Sequence, residues 1–398
     1  MSTPHQRFQS LDGLRGVAAV IVVGYHALLI VPAMSTIYVD KTNPTLFTPE
    51  WWLYATPLRL LLAGHEAVLV FFVLSGFVLT LPFLHKPPTG RSTLAYYGRR
   101  IIRLYIPVWS SLIVALGLAV LVPRQPGQGW LGSHHAPTLG SFIHDAVLLF
   151  GTSNLNSPLW SLTWEVWFSL LMPVMFLLIR WLRADRWWWA AIPTLMVISV
   201  LSRFDNVRHA LPVAWLTADL LQYLPVFGIG MLIAFNHERL TTAASRVRTW
   251  WPLIIGALLL TISPSMITPP GYGVPQAFAY LLSLTGVTMI IVLAFTSPAR
   301  RPLEARPVQW AGSRSFSLYL IHEPILVATA LLVGADGWSW LLIAAVTIPV
   351  VLLAAEGFYR VVERPSIALS RHVGHALNAR KTPSDLPEGR PEGASVII

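Results

Sequence analysis

The chain has no cysteine in 398 residues. Disulfide bridges, thiolate metal sites and a cysteine nucleophile are therefore excluded together. Charge is scarce as well: Asp, Glu, Lys and Arg make up 12% of the residues, half of the roughly 25% found in soluble domains. There is no G-x-x-x-x-G-K-[ST] phosphate loop, no H-E-x-x-H zinc motif and no repeat of fixed period. Hydrophobic residues reach 55% and the mean hydropathy is +0.60. So little charge over this length cannot cover a water-facing surface, and the chain reads as a membrane protein.

Ten mostly apolar runs have the length of membrane-spanning helices. They cover roughly 13–33, 58–84, 103–122, 159–180, 187–203, 212–235, 250–267, 276–296, 312–333 and 338–361. Barrel strands would alternate polar and apolar residues over about ten positions, whereas stretches such as 68–79 and 281–295 are apolar almost throughout. Helices, which satisfy their own backbone in lipid, are expected instead. The run at 58–84 is long enough to be tilted or broken near Pro82, and the run at 187–203 is short.

Orientation follows from Lys and Arg, which are enriched on the cytoplasmic side. With ten spans and a cytoplasmic N-terminus, 23 of the 28 basic residues fall inside and only Lys41, Arg59, Arg124, Arg203 and Arg208 fall outside. Both termini are thus expected in the cytoplasm. The net charge of +10 becomes a topology signal, and no nucleic-acid partner is expected. The polar start up to Ser10 leads straight into the first span, so no cleavable signal is expected. Beyond about 371 the chain is poor in apolar residues and is expected to be a disordered cytoplasmic tail. In the long connection at 123–158, an amphipathic run from Ser141 to Phe150 could lie on the membrane surface.

Ionisable side chains inside spans cost a few kcal/mol each and mark functional candidates. Here they are Arg15, His26, His65, Glu66, Glu165, Asp219, His322, Glu323 and Glu356. At about 1.5 Å per residue, His26 sits roughly 20 Å up the first span, level with Glu66 and Glu165, while His322 falls near the midplane. Arg15 and His26 are 11 positions apart, which returns to one helix face and separates them by roughly 16 Å. That face can line a passage with a cation at its mouth and an imidazole deeper in. Imidazole can take a hydroxyl proton or carry an acyl group. Arg99, Arg100 and Arg103 supply forked cations suited to phosphates. His134, His135 and His144 would form a metal site only by converging. The glycines Gly13, Gly16 and Gly76, with Ser75, suit close helix packing.

Several landmarks then fall into one order. They are FQSLDGLRGVAAVIVVGYH with Arg15-x10-His26, FFVLSGFVL, RRIIRLYIP with Arg100-x-x-Arg103, PLWSLTWEVWF around Glu165, SRSFSLYLIHEPIL around His322, and the closing VERP. Together they resemble the membrane acyltransferase-3 family over residues 7–366. The resemblance implies transfer of an acyl group, commonly acetyl from acetyl-CoA, to a hydroxyl of a carbohydrate or glycosylated acceptor. It implies a catalytic His26 and essential Arg15, Arg100 and Arg103 that bind the donor. Glu165 matches a catalytic or structural carboxylate, expected to support the imidazole. Glu66 and His322 remain further candidates for lining the passage. Some family members carry a fused esterase-like domain, which is not expected here, and others modify macrolide sugars, so the side on which the acceptor binds stays open.

The residues alone also admit a proton-coupled transporter or acyl-group translocase, although no inverted repeat is evident, and a non-catalytic scaffold that would tolerate loss of His26. The reading is an all-α, ten-helix integral protein of the plasma membrane. Residues 1–370 form the transmembrane acyltransferase domain and 371–398 the tail; acyl-CoA is the co-substrate and no metal is expected.

Overall fold

The computed structural model describes residues 8–38, 42–84, 87–124, 129–183, 188–261, 273–334 and 339–379, and all regular structure among them is helical. Ten helices match the ten apolar runs. They are α1 (Gln9–Leu29), α2 (Gly64–Leu84), α3 (Gly90–Leu121), α4 (Leu159–Arg183), α5 (Trp188–Leu201), α6 (Ala214–Phe235), α7 (Trp251–Thr261), α8 (Val274–Leu293), α9 (Ser315–Val333) and α10 (Ser339–Phe358). Eight of them are long and apolar enough to cross a bilayer. The exceptions are α5 and α7, at 14 and 11 residues. Residues 262–267, the end of the seventh apolar run, lie outside the described residues, as do 380–398 of the expected tail. An eleventh helix, α11 (Arg364–Ala379), carries regular structure past position 370.

Two expected boundaries move for physical reasons. The run at 58–84 is divided at Ala63, between a 3-10 turn (Pro57–Leu62) and α2, while α2 continues through Pro82. The corner needs Gly64, because a Cβ there would lie 2.6 Å from the Tyr25 ring. Helix α3 begins at Gly90 rather than near 103, started by a capping box between Thr89 and Ser92. Its polar first turns escape a search for apolar runs, and they are held by packing along α11.

Helix α1 lies among α2, α9 and the short helix Arg306–Ser313. Glycine sets how closely the helices approach. A Cβ on Gly76 of α2 would sit 2.0 Å from the Phe227 carbonyl oxygen of α6, and one on Gly230 of α6 would sit 1.9 Å from that of Val73. Around this contact Phe227 stacks on Phe168 of α4, with centroids 4.2 Å apart, and on Phe72 of α2 at 4.6 Å. Between α10 and α11 a π-helical turn (Tyr359–Glu363) aims Glu363 of the VERP motif at α9, where it accepts from the amide and hydroxyl of Ser317. In the connection from α3 to α4, the helix Leu139–Val147 turns Leu139 and Ile143 outward and buries Asp145. The expected amphipathic segment is therefore present, starting two residues early.

Candidate functional site

The site begins with the arginines. Helix α3 spans 32 residues from Gly90, so Arg100 and Arg103 stand inside it, about one turn apart, rather than at its entry. With Arg15 of α1 they line a cleft that encloses about 820 Å³ of non-atom space and is partly open to solvent. Its walls are apolar, from Val68, Phe71 and Phe72 of α2 to Leu104 of α3 and Phe316 of α9. Arg99, one residue earlier, points elsewhere: its side chain packs where Gly374 of α11 leaves room.

Glu165 belongs to this arginine cluster. It forms an ion pair with Arg100 Nη2 and accepts from Ser75 Oγ at 2.9 Å, while Arg100 Nε donates to Ser169 Oγ at 2.8 Å. Glu165 was expected to support the imidazole, and no contact joins it to His26 among the described residues; its contacts go to Arg100 and Ser75. Arg100 reaches it because position 100 lies inside α3, which packs against α4. Arg15 and Arg103 form no ion pair among the described residues. Three guanidinium groups thus face the cleft with one carboxylate among them.

Tyr319 of α9 also lines the cleft, and its hydroxyl donates to the Pro158 carbonyl at 2.8 Å and lies 2.6 Å from Ser161 Oγ. Behind Tyr319 stands His322, ring centroids 6.1 Å apart. His322 Nε2 in turn lies 3.1 Å from His26 Nδ1. The tautomers follow from the acceptors. His322 Nδ1 faces the Leu318 carbonyl at 2.9 Å and His26 Nδ1 faces that of Val22 at 3.0 Å, so each Nδ1 carries hydrogen. In the neutral rings His322 Nε2 then accepts from His26, and His26 Nε2 keeps its lone pair. An imidazole held in this way can receive a proton at Nε2 while its Nδ1–H is anchored.

None of His26, His322 and Glu66 lines the cleft itself. His322 serves as the neighbour of His26, and Glu66 is buried away from the cleft at the start of α2. Two residues that the sequence reading left undecided make contacts in this region. Glu323, beside His322, accepts from His134 Nε2 at 2.9 Å and from both the amide and hydroxyl of Ser157. His134 thus meets a carboxylate, and no group of three potential metal ligands occurs among the described residues. Glu356 belongs to an ion-pair cluster with Arg314 and Arg360, and Asp219 pairs with Arg208 at 3.4 Å. The signal for Glu323 was present in its placement as an acid inside a span; its partner, 189 positions away, left no trace in the local sequence.

Comparison with known proteins adds an independent line. A family model described as an acyltransferase domain matches residues 8–356. The chain is 25% identical to acyltransferase MdmB of Streptomyces mycarofaciens, an alignment that covers 91% of this chain and 92% of that protein. It is 24% identical to peptidoglycan O-acetyltransferase OatA of Listeria monocytogenes, covering 89% of this chain but 55% of the relative. No solved structure matches.

Proposed function

The chain belongs to this acyltransferase family, a family of multi-pass membrane enzymes, and from that premise we propose that it moves an acetyl group from acetyl-CoA to a hydroxyl of a carbohydrate or glycosylated acceptor. One observation carries the reading: Arg15, Arg100 and Arg103 line a cleft that reaches Tyr319, and behind Tyr319 stand His322 and His26 in contact with each other. The charged end suits the phosphates of a CoA thioester. Arg100 is fixed by Glu165 and Ser169, and Arg15 and Arg103 are left to receive an anion, so the arginine set fits such a donor. The apolar walls suit its acyl arm.

Behind Tyr319 and His322, His26 is the general base. Its Nε2 takes the proton of the acceptor hydroxyl as that oxygen bonds to the acyl carbon; the carbon–sulfur bond breaks, and the imidazolium returns the proton to the departing thiolate. His322 Nε2 accepts from Nδ1–H throughout and so stabilises the cation that forms. Glu165 acts at the donor end as the partner of Arg100. In the cell the arginine end faces the cytoplasm, where acyl-CoA is made, and the enzyme resides in the plasma membrane.

The test is acetyl transfer from labelled acetyl-CoA into the carbohydrate fraction of membranes that contain the wild-type chain or His26→Ala. Label incorporated by the wild type and lost in the variant is expected. Equal incorporation by both would overturn the mechanism.

A further inference from the structure

Two parts of the connection between α3 and α4 close over the His26 end of the site. At its near part, Gly129 adopts φ 66°, a conformation that glycine accepts without strain, and a Cβ there would lie 2.5 Å from Ser35 Oγ. This lets the Trp130 amide donate to Ser35 Oγ at 2.7 Å. The Trp130 ring then stands 5.7 Å from the His26 ring and 4.7 Å from that of His134, and is only 7% exposed. His134 is held from both sides: Nδ1 meets the Trp130 carbonyl and Nε2 meets Glu323 Oε1, each at 2.9 Å. At the far part, Ser157 bonds both oxygens of Glu323, and Asn156 Nδ2 donates to the Leu320 carbonyl at 2.8 Å.

Glu323 follows His322 on α9, yet its contacts run to the connection and not to His26. Its carboxylate gathers His134 from one part of that connection and Ser157 from the other. A buried acid with every contact spent on a loop is an expensive way to pack a helix, unless the loop's position matters to the chemistry beside it.

We propose that Glu323 and His134 are positioning residues that hold Trp130 against His26, and that Trp130 is the wall that keeps water from the imidazole. The proposal rests on the reading of His26 as the base. With the wall displaced, water replaces the acceptor: its proton passes to His26 Nε2, its oxygen bonds to the acyl carbon, the carbon–sulfur bond breaks and the thiolate takes the proton back. The products are the free acid and free CoA. An intact wall favours transfer; an open one allows hydrolysis.

The experiment compares the wild-type chain with Glu323→Gln, both purified in lipid nanodiscs. Diethyl pyrocarbonate is the first probe, with the modification rate read at His26 by mass spectrometry and His237 as the internal reference. His26 is expected to react at least fivefold faster in Glu323→Gln while His237 stays within twofold. Acetyl-CoA without acceptor is the second probe. Release of free CoA is expected to rise at least fivefold at an unchanged KM for acetyl-CoA, a gain that mere loss of structure would not produce. An unchanged His26 rate in a monodisperse variant overturns the proposal, and so does faster modification without faster hydrolysis in a variant that still transfers acetyl. If His26 becomes reactive but no form of the chain, wild type included, turns over acetyl-CoA, the positioning stands and the acyl-transfer reading falls. Trp130→Ala, which leaves the Glu323 pair in place, carries both expectations if Glu323→Gln does not fold.

Discussion

At the scale of single residues, the two histidines have unequal tasks although they touch. His26 keeps the free Nε2, whereas His322 has Nδ1 on a carbonyl and Nε2 on His26. Loss of a general base typically costs 10²- to 10⁴-fold, while a supporting hydrogen bond contributes about 0.5–1.5 kcal/mol. His26→Ala is therefore expected to lower acetyl transfer by at least about 100-fold and His322→Leu by roughly tenfold, measured as initial rates in membranes of equal protein content. A His322→Leu enzyme as dead as His26→Ala would assign His322 to the reaction itself. The arginines divide in a similar way. Arg99 rests on α11 while Arg100 faces the cleft, so Arg99→Ala is expected to leave the KM for acetyl-CoA within about twofold. Sequence reasoning singled out His26 and Arg15 as ionisable residues within an apolar run, and Arg100 and Arg103 by their spacing and the family resemblance; the structure brings the three arginines to one cleft. It placed Glu165 beside the imidazole, whereas the structure pairs it with Arg100, 65 positions earlier, a contact that the local sequence does not mark.

At the scale of helices, most of the architecture was legible, since lipid imposes a long apolar run on each crossing helix and the runs appear in the structure as ten helices. Contacts between helices were legible only in part. Gly76 was expected to permit close packing, and it does; its counterpart Gly230, more than 150 positions later, carries no local mark of its partner. Because a Cβ at either position meets backbone oxygen at 2.0 Å or less, no rotamer change can absorb it and α2 and α6 must part. Gly230→Val is expected to destabilise the protein by about 1–3 kcal/mol, the usual cost of overpacking. Gly117→Ala on α3, with nothing within 4 Å of the added carbon, should be neutral or stabilising by up to about 1 kcal/mol. Thermal stability read by size-exclusion chromatography after heating distinguishes the two, and equal behaviour would contradict the packing described.

At the scale of the whole molecule, the account joins a charged end and a catalytic end across one bundle. The distribution of 23 basic residues against 5 is the ground for proposing, under the positive-inside rule, that both termini lie on the cytoplasmic side. A C-terminal fluorescent-protein fusion that matures only in the cytoplasm is expected to be bright, and a dark fusion at normal expression would reverse the orientation. The central claim is that the donor's phosphates bind at the arginines of the cleft while the chemistry takes place at His26 behind Tyr319, about 16 Å from Arg15 along α1. Loss of the charge-assisted contact from Arg103 to a phosphate, worth about 1.5–3 kcal/mol, should weaken donor binding by roughly 10- to 100-fold without touching the base. The most direct measurement is the acetyl-CoA concentration dependence of transfer by Arg103→Ala. The account expects KM raised at least tenfold with kcat within about threefold of wild type; an unchanged KM with kcat collapsed would contradict it.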